Sequence, residues 1–295
     1  MEYRTYGRTG ARVSALGFGG GPAGVPNYLM PWNSSGADTQ AQVERAVRRA
    51  LERGITYFDT APGYGDGISE TVIGHALGAD RSRVFLATKT PRSDWSPAGI
   101  RTALEDSLRR LQTDHVDLLQ FHGNWFDEAG TREILDEGGL DTYERLRREG
   151  KVRFLGFTAE GPNGAVESLI QSGRFDALLI NYNLIYQTAG AYRNGQHPPE
   201  TALSLARAQH MGTATMRTLT SAIFQRWVKQ VAPNVADQVD WDGALLGFNL
   251  SHPQVDVAVV GMRSAEEVDR NADVVDGGLF RVDVAALHGE FVAPA

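Results

Sequence analysis

Short apolar or β-branched segments alternate with amphipathic segments along almost all of the 295 residues. Several of the short segments are apolar at every position, which is typical of strands buried on both faces of a parallel sheet. The pattern predicts strands that begin near Ala15, Ile55, Val84, Val116, Val152, Ala177, Gly212 and Val255.

The segments between these strands carry an apolar stripe at helical spacing. Ser96 followed by Pro97 is typical of a helix start, and Thr39 is placed to cap another helix that Gly54 would stop. A third helix is predicted from Pro162 to Ser172, ending at Gly173. This alternation within 295 residues predicts a (β/α)8 TIM barrel, with an open doubly wound sheet as the alternative.

Composition narrows the class of protein. Hydrophobic residues at 42% and charged residues at 22% are globular values, so disorder is not expected. No apolar run approaches the ~18–20 residues of a membrane span, and the first residues lack the apolar core of a signal peptide, so a cytoplasmic protein is predicted. The formal charge of −7 argues against a nucleic-acid partner, and 0 Cys exclude disulfides and cysteine metal sites.

Two segments, Gly20 to Asp38 and Gly123 to Leu140, follow predicted strands and show no clear periodicity. In a barrel, such insertions lie on the catalytic face. Their aromatic side chains either contact the substrate or pack the insertion against the barrel, and these side chains are Tyr28, Trp32, Trp125 and Phe126.

A glycine-rich segment, Gly19 to Gly24, matches the G-x-G-x-x-G pattern of dinucleotide-binding loops. Such a loop must open a helix, but prolines at positions 22, 26 and 31 prevent a continuing helix, so we reject this interpretation. The 7 histidines show no ligand spacing, and no metal site is predicted.

Polar residues at the ends of apolar strands indicate the chemistry. Asp59 ends one strand and is followed by Tyr64, Lys89 ends the next strand, and His122 ends the one after. In a parallel barrel these strand ends face the same side, so the four side chains are expected to converge. Taken singly, each has an ordinary interpretation as a turn aspartate, a loop tyrosine, a solvated lysine or a core histidine.

Together, these four residues suit proton transfer. An aspartate neutralises a lysine buried at a strand end, and the ammonium is expected to lower the pKa of Tyr64. A tyrosine with a lowered pKa can act as a general acid or base near neutral pH. An imidazole beside it can hold a carbonyl oxygen.

Several segments resemble the aldo-keto reductases in order and position: FDTAPGYGDGISE, VFLATK, VDLLQFH and VVGMRSAEEVDRNA. The opening YRTYGRTGARVSALGFGG is similar to that family's N-terminal β-hairpin and first strand, so the resemblance runs from about Tyr3 to Asn271. It implies a β-hairpin and a single (β/α)8 barrel domain over residues 1–295. The cofactor would bind in extended form, without a separate cofactor domain.

The resemblance also implies a reaction, the NAD(P)-dependent reduction of an aldehyde, ketone or sugar carbonyl, or oxidation of the corresponding alcohol or hemiacetal. The family's catalytic tetrad falls on Asp59, Tyr64, Lys89 and His122. Tyr64 would be the general acid or base, tuned by Lys89 and Asp59. His122 would orient the carbonyl.

The implied cofactor contacts depart from the family in places. Thr158-Ala159 stands where serine-asparagine is usual for the carboxamide, and Leu179 stands where a glutamine is usual, with Asn181 as its substitute. Met216 replaces the aromatic residue beside nicotinamide, and Arg217 is placed to pair with the pyrophosphate. The implied cofactor positions are Gly20, Thr158, Asn181, Met216, Arg217, Leu219, Gly261, Met262, Arg263, Glu267 and Asn271.

Two residues bear on the choice of cofactor. Arg263 favours a 2′-phosphate and therefore NADP, which is the prediction, whereas Glu267 would repel one and leaves NAD open. The simpler alternative is that Arg263 and Glu267 form a solvated ion pair at a helix start, worth under ~1 kcal/mol.

The leading hypothesis is thus an oxidoreductase with a small-molecule carbonyl or sugar as its partner, and with no nucleic acid or membrane. The sequence carries no signal for an oligomeric state. A cofactor-binding regulatory subunit of the same fold is the alternative, motivated by Ala159 and Leu179. A barrel hydrolase or isomerase would need a metal or paired carboxylates at the strand ends, where only Asp59 stands.

Overall fold

The computed structural model describes residues 1–28, 31–123, 125–190, 201–278 and 280–284. It begins with an antiparallel hairpin of β1 (Tyr3–Thr5) and β2 (Arg12–Ser14). The following strands are parallel, and they are β3 (Leu16–Gly19), β4 (Tyr57–Asp59), β5 (Phe85–Pro91), β6 (Val116–His122), β7 (Val152–Ala159), β8 (Ala177–Asn181), β9 (Gly212–Met216) and β10 (Val257–Gly261).

These strands form a closed barrel in which the order around the barrel follows the order along the chain. The barrel closes because β10 pairs in parallel with both β9 and β3. Closure confirms the predicted (β/α)8 fold with its N-terminal hairpin, and it excludes the open doubly wound sheet, whose two edge strands would remain unpaired.

Helices connect the strands and cover the outside of the barrel. They are α1 (Gly21–Gly24), α2 (Ala37–Glu52), α3 (Ile68–Leu77), α4 (Pro97–Leu111), α5 (Glu128–Leu135), α6 (Gly139–Arg148), α7 (Gly164–Gln171), α8 (Ala202–Ala208), α9 (Ile223–Val231), α10 (Pro233–Ala236), α11 (Trp241–Ser251) and α12 (Ala265–Asp276). Within the described residues, every helix is too short or too polar to cross a bilayer.

The helix ends agree with the sequence in part. Ser96 caps α4 through a hydrogen bond from the Gly99 N–H at 3.1 Å, as predicted. The helix assigned to a Thr39 cap instead begins at Ala37, with Gly36 in the cap position. The helix predicted from Pro162 has Asn163 as its cap, because that side chain accepts a hydrogen bond from the backbone of the first turn.

The two insertions are not irregular throughout. The first contains α1 and the start of α2, and the second contains α5 and the start of α6. Residues 29, 30 and 124 lie outside the described residues. The amphipathic pattern of α5 is only two turns long, so it was too short to stand out from a loop in the sequence.

The hairpin closes one end of the barrel. Tyr6, between its strands, is fully buried and lies edge-on to Tyr57 and Phe85, with ring centroids 5.4 Å from each. These rings pack with Leu118 and Val257 inside the barrel. Aromatic and aliphatic side chains fill this end, whereas Asp59, Lys89 and His122 lie at the other end, where the strands finish.

Three aspartates tie neighbouring strands together at the hairpin end of the barrel. Asp117, Asp176 and Asp256 lie at or just before the starts of β6, β8 and β10. Each carboxylate accepts a hydrogen bond from a backbone N–H of the preceding strand, and the nitrogens of Leu86, Leu155 and Thr213 lie at 2.9, 2.9 and 3.0 Å. Each aspartate also forms an ion pair with arginine: Asp117 with Arg81 and Arg153, Asp176 with Arg147, and Asp256 with Arg207.

Asp117→Ala is expected to lower the free energy of unfolding by about 3–5 kcal/mol, because a buried N–H and two arginines lose their carboxylate. The measurement is the urea midpoint of unfolding. Asp141→Ala is the control, because its ion pair with Arg174 is exposed and worth under ~1 kcal/mol. Equal midpoints for the two variants would contradict this role for Asp117.

Candidate active site

The strand ends bring the four predicted polar residues together. Lys89, on β5, is 1% exposed, and its Nζ donates to Asp59 Oδ1 at 2.5 Å and to the Thr60 carbonyl at 2.8 Å. The same nitrogen lies 3.4 Å from the Tyr64 hydroxyl. The ring of His122 lies edge-on to that of Tyr64, with centroids 5.8 Å apart. Tyr64 and His122 both line a cavity, so a small molecule there can contact both.

Glycines allow the Tyr64 turn to lie against α1. A Cβ on Gly24 would clash with the carbonyl oxygen of Tyr64, and a Cβ on Gly65 would clash with the carbonyl oxygen of Gly24. Gly65 also has a φ of +67°, in the left-handed region that favours glycine. This close backbone approach holds the tyrosine over the end of the barrel.

Burial and charge determine the protonation of the site. Burial would lower the pKa of Lys89, but Asp59 and Tyr64 raise it, and the net shift is upward, so the side chain is an ammonium. Burial raises the pKa of Tyr64 and outweighs the lowering effect of Lys89, so the phenol is protonated. The prediction that the Tyr64 pKa is lowered was therefore wrong. The sequence does not reveal how strongly the surroundings of Tyr64 desolvate its phenolate form.

His122 is neutral. Burial lowers its pKa to about 3, and the nearby Lys89 ammonium contributes to the fall. A neutral imidazole can donate a hydrogen bond from one nitrogen and accept one at the other. At neutral pH, His122 can therefore bind a carbonyl oxygen but has no second proton to transfer.

Gln120 was missed by the sequence analysis. It is fully buried on β6, donates to Asp59 Oδ2 at 2.9 Å, and accepts a hydrogen bond from Thr158 Oγ1 at 3.3 Å. A signal was present, because Gln120 is a polar residue inside an apolar strand, two positions before His122 and therefore on the same face.

A cavity of about 420 Å³ extends from the tetrad towards the start of α12. Most of the predicted cofactor positions line it, and these are Thr158, Met216, Arg217, Leu219, Gly261, Arg263, Glu267 and Asn271. The structure places the remaining three elsewhere. Gly20 lies behind the lining residues Gly19 and Gly21, Met262 is fully buried, and Asn181 lines a second cavity.

The four aromatic residues of the insertions have different surroundings. Tyr28 lines the first cavity, and Trp125 is 60% exposed and lines the second. Trp32 packs under the Arg263 guanidinium, 5.3 Å from its ring centroid. Phe126 is 3% exposed and stacks on Trp95, so of the two interpretations offered by the sequence its surroundings favour packing over substrate contact.

The arginines of the cavity are already partly paired. The Arg217 guanidinium forms an ion pair with Glu160 at 2.7 Å. The predicted pairing of Arg217 with pyrophosphate would therefore have to compete with this carboxylate. Glu267 accepts a hydrogen bond from the backbone N–H of Arg263 at 2.6 Å and lies 3.5 Å from its guanidinium. Arg270, which the sequence analysis missed, also lines the cavity.

This lining fits a nicotinamide dinucleotide. Gly19, Gly21 and Gly261 have no side chains, and a Cβ on Gly21 would meet little except the Tyr64 ring at 3.9 Å, so a flat ring can approach the backbone. The far end supplies guanidinium groups from Arg263 and Arg270, which suit phosphate. Within the described residues, no group of three or more His, Asp or Glu side chains is arranged to hold a metal ion.

The family model described as "Aldo/keto reductase family" matches residues 16–242. The chain belongs to the aldo/keto reductase family. This confirms the resemblance recognised in the sequence and removes the hydrolase and isomerase alternative. The enzyme is accordingly an NAD(P)H-dependent oxidoreductase whose family acts on small-molecule carbonyl compounds.

Relatives of this reductase cover nearly the whole chain. It is 36% identical over 296 residues to L-galactose dehydrogenase of Arabidopsis thaliana, covering 93% of this chain and 88% of that protein. It is 37% identical over 264 residues to methylglyoxal reductase YeaE of Escherichia coli strain K12, covering 84% of each.

Solved structures share the fold of this reductase. An aldo/keto reductase from Klebsiella pneumoniae in complex with NADP and acetate aligns with a TM-score of 0.74 at 24% identity, covering 99% of this chain and 96% of that one. The holo form of aldo-keto reductase AKR11C1 from Bacillus halodurans aligns with a TM-score of 0.76 at 23% identity, covering 100% and 97%.

The imidazole of His122 is expected to stay neutral between about pH 8 and pH 5, because its pKa lies at about 3. The measurement is a pH titration of the ring by ¹³C and ¹⁵N NMR. The His122 signals are assigned as those absent from a His122→Gln variant. A titration midpoint inside this range would show that the site binds a proton on the imidazole after all.

Proposed function

We propose that this enzyme reduces the carbonyl group of a small aldehyde, ketone or sugar with NADPH, and that Tyr64 gives the proton to the carbonyl oxygen. The observation that carries the proposal is the difference in protonation between the two groups that face the cavity. Tyr64 is a protonated phenol beside an ammonium, and His122 is a neutral imidazole.

The residues support this division of roles. A phenol that transfers its proton leaves a phenolate, and the Lys89 ammonium, 3.4 Å away, stabilises that negative charge. Asp59 keeps Lys89 charged and in place through the contact at 2.5 Å. His122 supplies a hydrogen bond that orients the carbonyl between the two rings. In the oxidation of an alcohol or hemiacetal, Tyr64 would act as the base.

The cofactor would lie along the first cavity. When bound, it supplies the hydride that reduces the carbonyl carbon. Thr158 and Met216 line the part nearest the tetrad and would contact the nicotinamide, while Asn271 and the arginines of α12 and its preceding turn would bind the adenosine end. Two guanidinium groups against one Glu267 carboxylate favour the 2′-phosphate of NADP.

The substrate class is broad. The relatives include one protein named for a sugar and one named for a small aldehyde. In this chain Tyr28 contributes an aromatic ring to the cavity beside the tetrad, and a ring of this kind packs against sugar faces and small apolar groups alike. A panel of aldoses, short 2-oxoaldehydes and aromatic aldehydes therefore spans the proposed range.

Tyr64→Phe is expected to lower kcat by about 10²–10⁴-fold, because the proton donor is lost while the cavity keeps its shape. NADPH affinity, measured by fluorescence titration, should stay near the wild-type value. Tyr3→Phe is the control, since that hydroxyl donates to the Gly54 carbonyl at the protein surface. Turnover by Tyr64→Phe close to wild type would exclude Tyr64 as the acid.

The regulatory-subunit alternative is distinguished by the same assay. It draws support from Leu179, an apolar residue that lines the cavity where the family usually has an amide. Stoichiometric NADPH binding by the wild-type protein without reduction of any carbonyl in the panel would favour it.

Arg263→Leu is expected to weaken NADPH binding by about 10- to 100-fold, the range of one or two lost charge-assisted hydrogen bonds, and to leave NADH binding nearly unchanged. The measurement is the ratio of the two Kd values. Arg148→Leu, at an exposed position on α6, is the matched control. Equal weakening for both cofactors would mean that Arg263 contacts a group they share, and would contradict its role at the 2′-phosphate.

A further inference from the structure

Gln120 joins the cavity wall to the Asp59–Lys89 pair. Its Nε2 donates to Asp59 Oδ2 at 2.9 Å, and its Oε1 accepts from Thr158 Oγ1 at 3.3 Å. Thr158 lines the cavity, whereas Gln120 is fully buried and does not reach it. Burying a primary amide in an apolar strand costs free energy unless both ends are paired, and here both ends are paired.

The charge on Asp59 fixes the direction of this hydrogen-bond chain. A carboxylate paired with an ammonium only accepts hydrogen bonds, so the amide nitrogen of Gln120 must face it. The amide oxygen then faces Thr158, and an amide oxygen also only accepts. The Thr158 hydroxyl must therefore donate its single proton to Gln120, which leaves its lone pairs for a partner in the cavity.

We propose that Gln120 is a positioning residue that fixes the Thr158 hydroxyl as a hydrogen-bond acceptor for the carboxamide N–H of bound nicotinamide, and links this contact to Asp59. This inference rests on the proposed function, which places the nicotinamide cofactor in the first cavity. A donor bound to the Thr158 oxygen polarises the hydroxyl and strengthens its bond to Gln120, and the polarised amide in turn strengthens its bond to Asp59. The cofactor amide and the tetrad are thereby coupled through one side chain.

A double-mutant cycle tests the coupling. Gln120→Met keeps the length of the side chain but removes both hydrogen bonds, and Thr158→Val keeps the shape of the residue but removes its acceptor. Each is expected to weaken NADP binding by about tenfold, the value of one hydrogen bond, and Thr158→Ser should bind as the wild type does. Because both changes remove the same contact, the double variant should also be weakened by about tenfold.

Gln120→Glu provides a readout that simple packing would not move. A protonated glutamic acid can donate to Asp59 and accept from Thr158, as the glutamine does, whereas a glutamate cannot donate to a carboxylate. Two adjacent carboxyl groups share a proton more readily as the pH falls. As the pH is lowered from about 9 to about 5, the cofactor affinity of Gln120→Glu should therefore rise towards the wild-type value. The affinity of Gln120→Met, measured at the same pH values, should not rise in this way.

Wild-type affinity in Gln120→Met, or a hundredfold loss in the double variant, would overturn the proposed coupling and leave the proposed function intact. A parallel pH dependence of Gln120→Glu and Gln120→Met would also overturn it. Failure of the wild-type protein to bind either NADP or NAD would overturn the coupling and the proposed function together. The expected tenfold pattern, measured on variants whose unfolding midpoints show that they remain folded under the assay conditions, supports the positioning role.

Discussion

The active end of this barrel depends on one buried ion pair. An ammonium with 1% exposure, such as that of Lys89, is destabilising in a protein interior unless a carboxylate and further acceptors replace its lost water. Asp59 and the Thr60 carbonyl provide them. The pair then holds positive charge beside the Tyr64 hydroxyl, and it requires a donor for the second carboxylate oxygen, which Gln120 supplies. The positions of Tyr64, Gln120 and Thr158 thus all follow from the need to stabilise the buried charges of Asp59 and Lys89.

The barrel makes this arrangement possible by separating its two ends. Tyr6 and its aromatic neighbours fill the hairpin end, and the aspartates there hold the strands to one another. The polar residues at the opposite end are consequently carried on strands whose relative positions are already determined. Asp59 on β4 and Lys89 on the paired strand β5 are thereby held close enough for the Lys89 contacts at 2.5 and 2.8 Å.

Much of this organisation could be predicted from the sequence, because it depends on local pattern. Runs of apolar residues mark the strands, and a polar residue at the end of such a run marks the catalytic face, so Asp59, Lys89 and His122 were found. Properties that depend on three-dimensional surroundings were not. The direction of the Tyr64 pKa shift reflects the balance between burial and one nearby charge. The packing of Phe126 reflects contacts with Trp95, which is distant in sequence.

The three aspartate ties have a consequence for how such an enzyme can change over evolutionary time. They stabilise the sheet from the end opposite the tetrad, so the cohesion of the strands does not depend on the loops that surround the tetrad. Substitutions and insertions in those loops are then filtered mainly by their effect on ligands and only weakly by their effect on folding. A chain built in this way can acquire new substrates while it keeps the same scaffold and the same proton-transfer residues.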